Sequence, residues 1–135
     1  MPGYSGTPLA KKLGIKEDMT ILAIDAPKDY AALLGALPSG ASIVAKAKPG
    51  AAELVHLFAP SLAALEKQLP QARKAMTTDG AIWVSWYKKA ARIPTDVTED
   101  AIRARALKTD LVDVKVCAVT DTWSGFKLVV RKHLR

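Results

Sequence analysis

Cysteine occurs once in the chain, at Cys117, and histidine twice, at His56 and His133. A lone thiol excludes an intrachain disulfide framework and favours a reducing compartment. With no second histidine or thiol at ligand spacing, no metal site is expected. No serine sits in a nucleophile-elbow pattern, so no catalytic residue is expected either. Aromatic residues make up only 6% of the chain, too few to interleave with its cations as base-stacking platforms, apart from Trp86 and Tyr87 before Lys88. No apolar run approaches the roughly 18 residues of a membrane span. The start, Met1-Pro2-Gly3-Tyr4-Ser5-Gly6, lacks the basic-then-apolar pattern of a secretory leader. A cytoplasmic protein with no membrane partner is therefore expected. Glycine is also missing between Gly14 and Gly35, an absence that bears on ligand chemistry below.

Half of the 135 residues are hydrophobic and 24% are charged, the balance of a packed domain rather than a disordered chain. That length suits a single domain over 1–135, with 1–18 forming an N-terminal arm and short helix. The net charge of +7 is unevenly placed: up to Pro60 six basic residues meet five acidic ones, whereas from Ser61 onward fourteen meet eight. The two concentrations are Lys88-Lys89 with Arg92, and Lys127 to Arg135. A basic surface attracts phosphate and nucleic acid. Scattered lysines read more simply as a solvated face, so nucleic acid is the weaker expectation.

The periodicities alternate between strand and helix. Leu9 to Leu13 is a short helix with Thr7 as its cap, Pro8 in its first position and Gly14 just past its end. Thr20 to Ile24 is an apolar strand, followed by a helix using Tyr30, Leu33, Leu34 and Leu37 and ended by Pro38-Ser39-Gly40. Ser42 to Ala45 and Glu53 to Ala59 are strands. Leu62, Leu65, Leu69, Ala72 and Met76 form the stripe of the strongest helix, which Ser61 can cap. Asp79-Gly80 reads as a turn into the strand Ala81 to Trp86. Thr98-Glu99-Asp100 opens a helix running to Lys108, with Asp96 and Glu99 as an alternative capping box. Val112 to Val119 and Phe126 to Arg131 read as an antiparallel hairpin. The fold class is thus α/β: a three-layer Rossmann-like, mostly parallel sheet with a C-terminal antiparallel hairpin, the arrangement of the methyltransferase-like branch.

Nucleotide-binding units of this kind need a glycine-rich turn after the first strand and an acid after the second. Here the first turn is Asp25-Ala26-Pro27-Lys28, and Pro27 lacks the amide that would face a phosphate. The second offers Ala45-Lys46-Ala47-Lys48. Both requirements fail, so no cofactor is expected. His56, inside an apolar strand, reads as a packed or hydrogen-bonded core residue, and Cys117 as a small apolar side chain.

Two segments carry more than packing chemistry. The loop from Trp86 to Asp96 leaves the carboxyl end of a strand, where ligands of such sheets sit. The connection Asp121-Thr122-Trp123-Ser124-Gly125 gathers an acid, hydroxyls and a ring. Against this stand structural readings: Asp96 as a helix cap, Ser124-Gly125 as turn chemistry and Trp123 as a plug.

Gly3-Tyr4-Ser5-Gly6-Thr7-Pro8-Leu9, Trp83-Val84-Ser85-Trp86 with Lys88-Lys89, Pro94-Thr95-Asp96 with Thr98-Glu99-Asp100, and Lys115-Val116-Cys117-Ala118-Val119 with Thr122-Trp123-Ser124-Gly125 resemble a bacterial family of uncharacterised proteins, domain-of-unknown-function family number 3052. The resemblance implies no activity and defines no catalytic residue. Its blocks fall on the arm, the basic loop and the hairpin, which raises one surface made of all three.

The leading expectation is a non-catalytic binding or interaction module on a degenerate methyltransferase-like fold. The alternative is an enzyme or sensor for a small anionic, phosphorylated ligand held by Lys88, Lys89, Ser5 or Thr7, with Asp96, Trp123 and Ser124 shaping the pocket. It requires arm, loop and hairpin to converge on one side of the sheet. Weak nucleic-acid binding is a second alternative. A homodimer through an exposed hairpin edge is a further candidate assembly.

Overall fold

The sheet is built by β-rich apolar runs separated by short helices, and the computed structural model describes it over residues 8–135. The elements are α1 (Leu9–Leu13), β1 (Thr20–Ile24), α2 (Tyr30–Leu34), β2 (Ser42–Val44), β3 (Ala52–Phe58), α3 (Leu62–Ala75), β4 (Met76–Tyr87), α4 (Glu99–Leu107), β5 (Leu111–Ala118) and β6 (Trp123–Val130). Six strands form one sheet in the order β2-β1-β3-β4-β6-β5. Neighbours from β2 to β4 are parallel; β6 pairs antiparallel with both β4 and β5. The fold is α/β, Rossmann-like and mostly parallel, with the expected C-terminal hairpin.

Alternation along the strands divides the core in two. Ile21, Leu54, Phe58 and Trp83 face α1 and α2, whereas Leu22, Val55, Leu57, Ile82 and Val84 face α3 and α4. Trp83 is fully buried, and its indole Nε1 donates to the Leu13 carbonyl at 3.0 Å, tying α1 to the sheet. A Cβ at Gly125 would come within 2.8 Å of Val119 Cγ2 and 3.1 Å of the Trp83 ring, so only glycine lets β6 pass this indole.

Several boundaries differ from the sequence reading. Gly35, at φ 75°, ends α2 at Leu34, a turn earlier than Leu37. Pro8 occupies the cap position of α1 rather than its first turn; Thr7, Ser5 and the rest of the arm lie outside the described residues. Met76 starts β4 rather than closing α3. Asp79-Gly80 makes no turn: β4 runs through it, and Gly80 lies where a Cβ would collide with the Glu53 carbonyl, beside the register shift between Ala52 and Leu54. Close approach at a bulge, not chain reversal, is what this glycine serves.

Candidate functional site

The strand order reverses between β1 and β3, because β1 is followed by β2 on one side while β3 lies on the other. Ligands of open α/β sheets gather beyond the carboxyl ends of strands at such a point. Here the chain's own groups bridge it. Asp25, just after β1, takes a left-handed backbone with φ 53°, which aspartate tolerates better than most residues. Its Oδ2 accepts from Gln68 Nε2 at 2.7 Å, and the same amide donates to the Phe58 carbonyl at 2.9 Å. Gln68 thus staples the ends of β1 and β3 together from α3. Two acceptors fix the orientation of its amide, leaving Oε1 buried without a partner.

Beneath this point lies a polar chain that the sequence did not reveal. Tyr30 Oη and His56 Nδ1 are 2.8 Å apart, and His56 Nε2 and Ser85 Oγ 2.6 Å apart. All three side chains are buried, His56 and Ser85 completely. The imidazole stacks on Phe58 and meets the Tyr30 ring edge-on. Burial pushes the His56 pKa down to about 3 and the Tyr30 phenol upward. A neutral imidazole with a hydrogen bond at each nitrogen is a satisfied core histidine. The Ser85–His56 spacing matches that of a nucleophile and base, but a fully buried Oγ meets no substrate. His56 lies 26 residues from Tyr30 and 29 from Ser85, so local pattern carries no trace of their meeting.

The basic loop lies farther along the same rim and is latched at both ends. Lys88 N donates to the Thr122 carbonyl at 2.9 Å; Thr95 Oγ1 donates to the Pro60 carbonyl at 2.9 Å. Between the latches is a hollow of about 710 Å³, lined by Lys88, Lys89, Ser124, Trp86, Thr98 and Glu99 among others. It brings together three of the residues singled out from the sequence: Lys88, Lys89 and Ser124.

Asp96 and Trp123 are used elsewhere. Asp96 Oδ1 accepts from Leu62 N at 2.8 Å. It therefore caps α3, not α4, whose cap is Thr98 accepting from Ala101 N at 3.1 Å. Trp123 stacks on Tyr87 and sets its ring edge-on to Phe58. Those contacts place it in the α1/α2 cluster, while Lys88 and Lys89 line the hollow beside α4. Loop and hairpin do meet through Lys88 N, but Trp123 lines a separate, smaller hollow with Pro27, Leu33 and Thr120 rather than the one lined by the cations.

Cys117 is half-buried, and burial raises its thiol pKa despite Lys12 and Lys115 nearby, the reverse of an activated nucleophile. Among the described residues no group of three or more His, Cys, Asp or Glu side chains is placed to hold a metal ion. No described helix is long and apolar enough to cross a membrane. The arginines of the basic half are largely engaged: Arg73 with Asp110, Arg103 with Asp100 and Asp113, and Arg105 with Glu66.

No protein-family model matches the chain, and no curated protein matches its sequence. Solved structures do share its architecture. A protein of the NADB-Rossmann superfamily from Streptococcus agalactiae, 7% identical, aligns over 96% of this chain and 70% of its own with a TM-score of 0.54. A SAM-dependent methyltransferase from Aquifex aeolicus, 12% identical, aligns over 90% of this chain and 88% of its own with a TM-score of 0.65. At such identities the likeness concerns the fold, and the chain has a Rossmann-like, methyltransferase-like one.

Proposed function

We propose that this chain is a binding module without catalytic activity, built on a degenerate methyltransferase-like scaffold. The observation that carries the reading is the Gln68 bridge across the switch point. The residues there do not fit S-adenosylmethionine. The amide of Gln68 occupies the Asp25 carboxylate and the Phe58 carbonyl, Pro27 removes a backbone donor, and the end of β2 presents Lys46 where a nucleoside's ribose needs an acid. The Ser85 hydroxyl and His56 imidazole are committed to each other and sealed from solvent.

A thermal-shift titration tests this directly. A ligand at a hundred times its Kd stabilises a protein by about 2.7 kcal/mol, so millimolar S-adenosylmethionine or NAD should leave the midpoint unmoved. A rise of several degrees would overturn the reading.

One observation favours a second reading, a sensor or enzyme for a small phosphorylated anion: Lys88, Lys89 and Ser124 share one hollow. Saturable binding of inorganic pyrophosphate, lost in K88E/K89E, would support it. We further infer a single domain over 1–135, a cytoplasmic setting consistent with the lone Cys117, and membership of family 3052 on the motif blocks quoted above.

A further inference from the structure

The connection from β2 to β3 must return from the carboxyl end of the sheet to its amino end within residues 45–51. Seven extended residues reach roughly 23–25 Å, about the length of the seven-residue β3 itself. None is spare for the helix that normally makes such a crossover and covers the sheet. The strap is instead pinned to α3 by Gly50 N donating to the Lys74 carbonyl at 3.0 Å. A groove of about 670 Å³ remains between strap and helix, floored by Leu22, Ile24 and Ala75 and walled by Ala47.

Two cations reach this groove from opposite walls, Lys46 from the strap and Lys74 from α3. Neither side chain has an ion-pair or hydrogen-bond partner among the described residues. The lone carboxylate lining it, Asp25, is already committed to Gln68 Nε2. An apolar floor calls for an apolar body, and unneutralised cations at its rim call for a negative head. A nucleoside or a sulfonium cation would find the wrong charge there.

The geometry points to a second ligand site in this groove, taking a small amphipathic anion: a carboxylate, phosphate or sulfonate on a compact apolar body. It is separate from the Lys88–Lys89 hollow and stands whether or not that hollow binds anything.

Octyl phosphate, below its micellar concentration, is the probe, titrated into the full 15N-labelled chain. Saturable shifts are expected at the amides of Leu22, Ile24, Ala47 and Ala75. The double variant K46E/K74E should weaken binding by about tenfold or more, whereas K88E/K89E should leave it unchanged. Octyltrimethylammonium should bind at least about tenfold more weakly than the phosphate. Both lysines of the groove are exposed, and the same spectra report whether the variants remain folded. Absence of saturation, shifts confined to other surfaces, indifference to K46E/K74E, or equal binding of the cationic amphiphile would each overturn the assignment.

Discussion

The point between β1 and β3 and the rim beyond β4 and β6 occupy the same edge of one sheet, yet the polar groups of one are paired internally and those of the other are not. At the first, a glutamine from α3 binds an aspartate in a left-handed backbone, and a buried Tyr30–His56–Ser85 chain pairs within itself. At the second, Lys88 and Lys89 line a hollow with their backbone latched, and their side chains make no ion pair among the described residues. Polar groups that pair internally lock a fold, while those left facing solvent remain available to a ligand. The contrast makes the bridged point a stability element and the rim a binding element. Substitutions should therefore divide cleanly between the two.

The largest effect is expected in the core that underlies both regions. Trp83→Ala removes a fully buried indole and its bond to Leu13, and should cost about 3–5 kcal/mol in denaturant unfolding. A loss below about 1 kcal/mol would mean that α1 is not held by this ring.

The pH dependence comes next. Between pH 6.5 and about 3 the unfolded chain binds a proton at position 56 that the folded chain refuses. The unfolded state thus gains protons first, and stability falls as pH falls through this window. This single group contributes a slope of up to roughly 1.4 kcal/mol per pH unit. Comparing unfolding at pH 6 and pH 4.5 in the native chain and in His56→Gln isolates it: the variant should lack that component. Identical slopes would place the imidazole in contact with solvent.

A smaller loss, about 1 kcal/mol, is expected for Asp96→Ala, since this carboxylate caps α3. Ligand binding at the hollow should persist, and its disappearance with stability unchanged would return Asp96 to the pocket. The smallest change in stability belongs to K88E/K89E, within about 0.5 kcal/mol. If that variant unfolds like Trp83→Ala, the rim is structural and the comparison fails.

Elements whose signals are local were legible in the sequence. β1 spans Thr20–Ile24 as its apolar run indicates, Gly14 closes α1 in the left-handed region, and Ser61 and Thr98 cap α3 and α4 with their own hydroxyls. The hairpin follows from its composition, although β6 begins at Trp123 because the pairing of Tyr87 with Trp123 carries the ladder into the connection. The failed glycine turn and the missing acid after β2 were legible for the same reason: they are properties of adjacent residues. Gly80 misled because glycine's freedom serves a turn and a close approach alike.

What the sequence by itself determined is the order of strands and helices, the caps, and the lack of a nucleotide-binding turn. Only the tertiary structure decided that Asp96 caps a helix 34 residues upstream, that His56 is buried between Tyr30 and Ser85, and that Trp123 and Lys88 line different hollows. It alone brought Lys46 and Lys74 to one groove. Periodicity and capping act over one helical turn or a few strand residues, whereas a site is made where remote segments meet. That meeting depends on strand order and packing, which no short stretch of sequence contains.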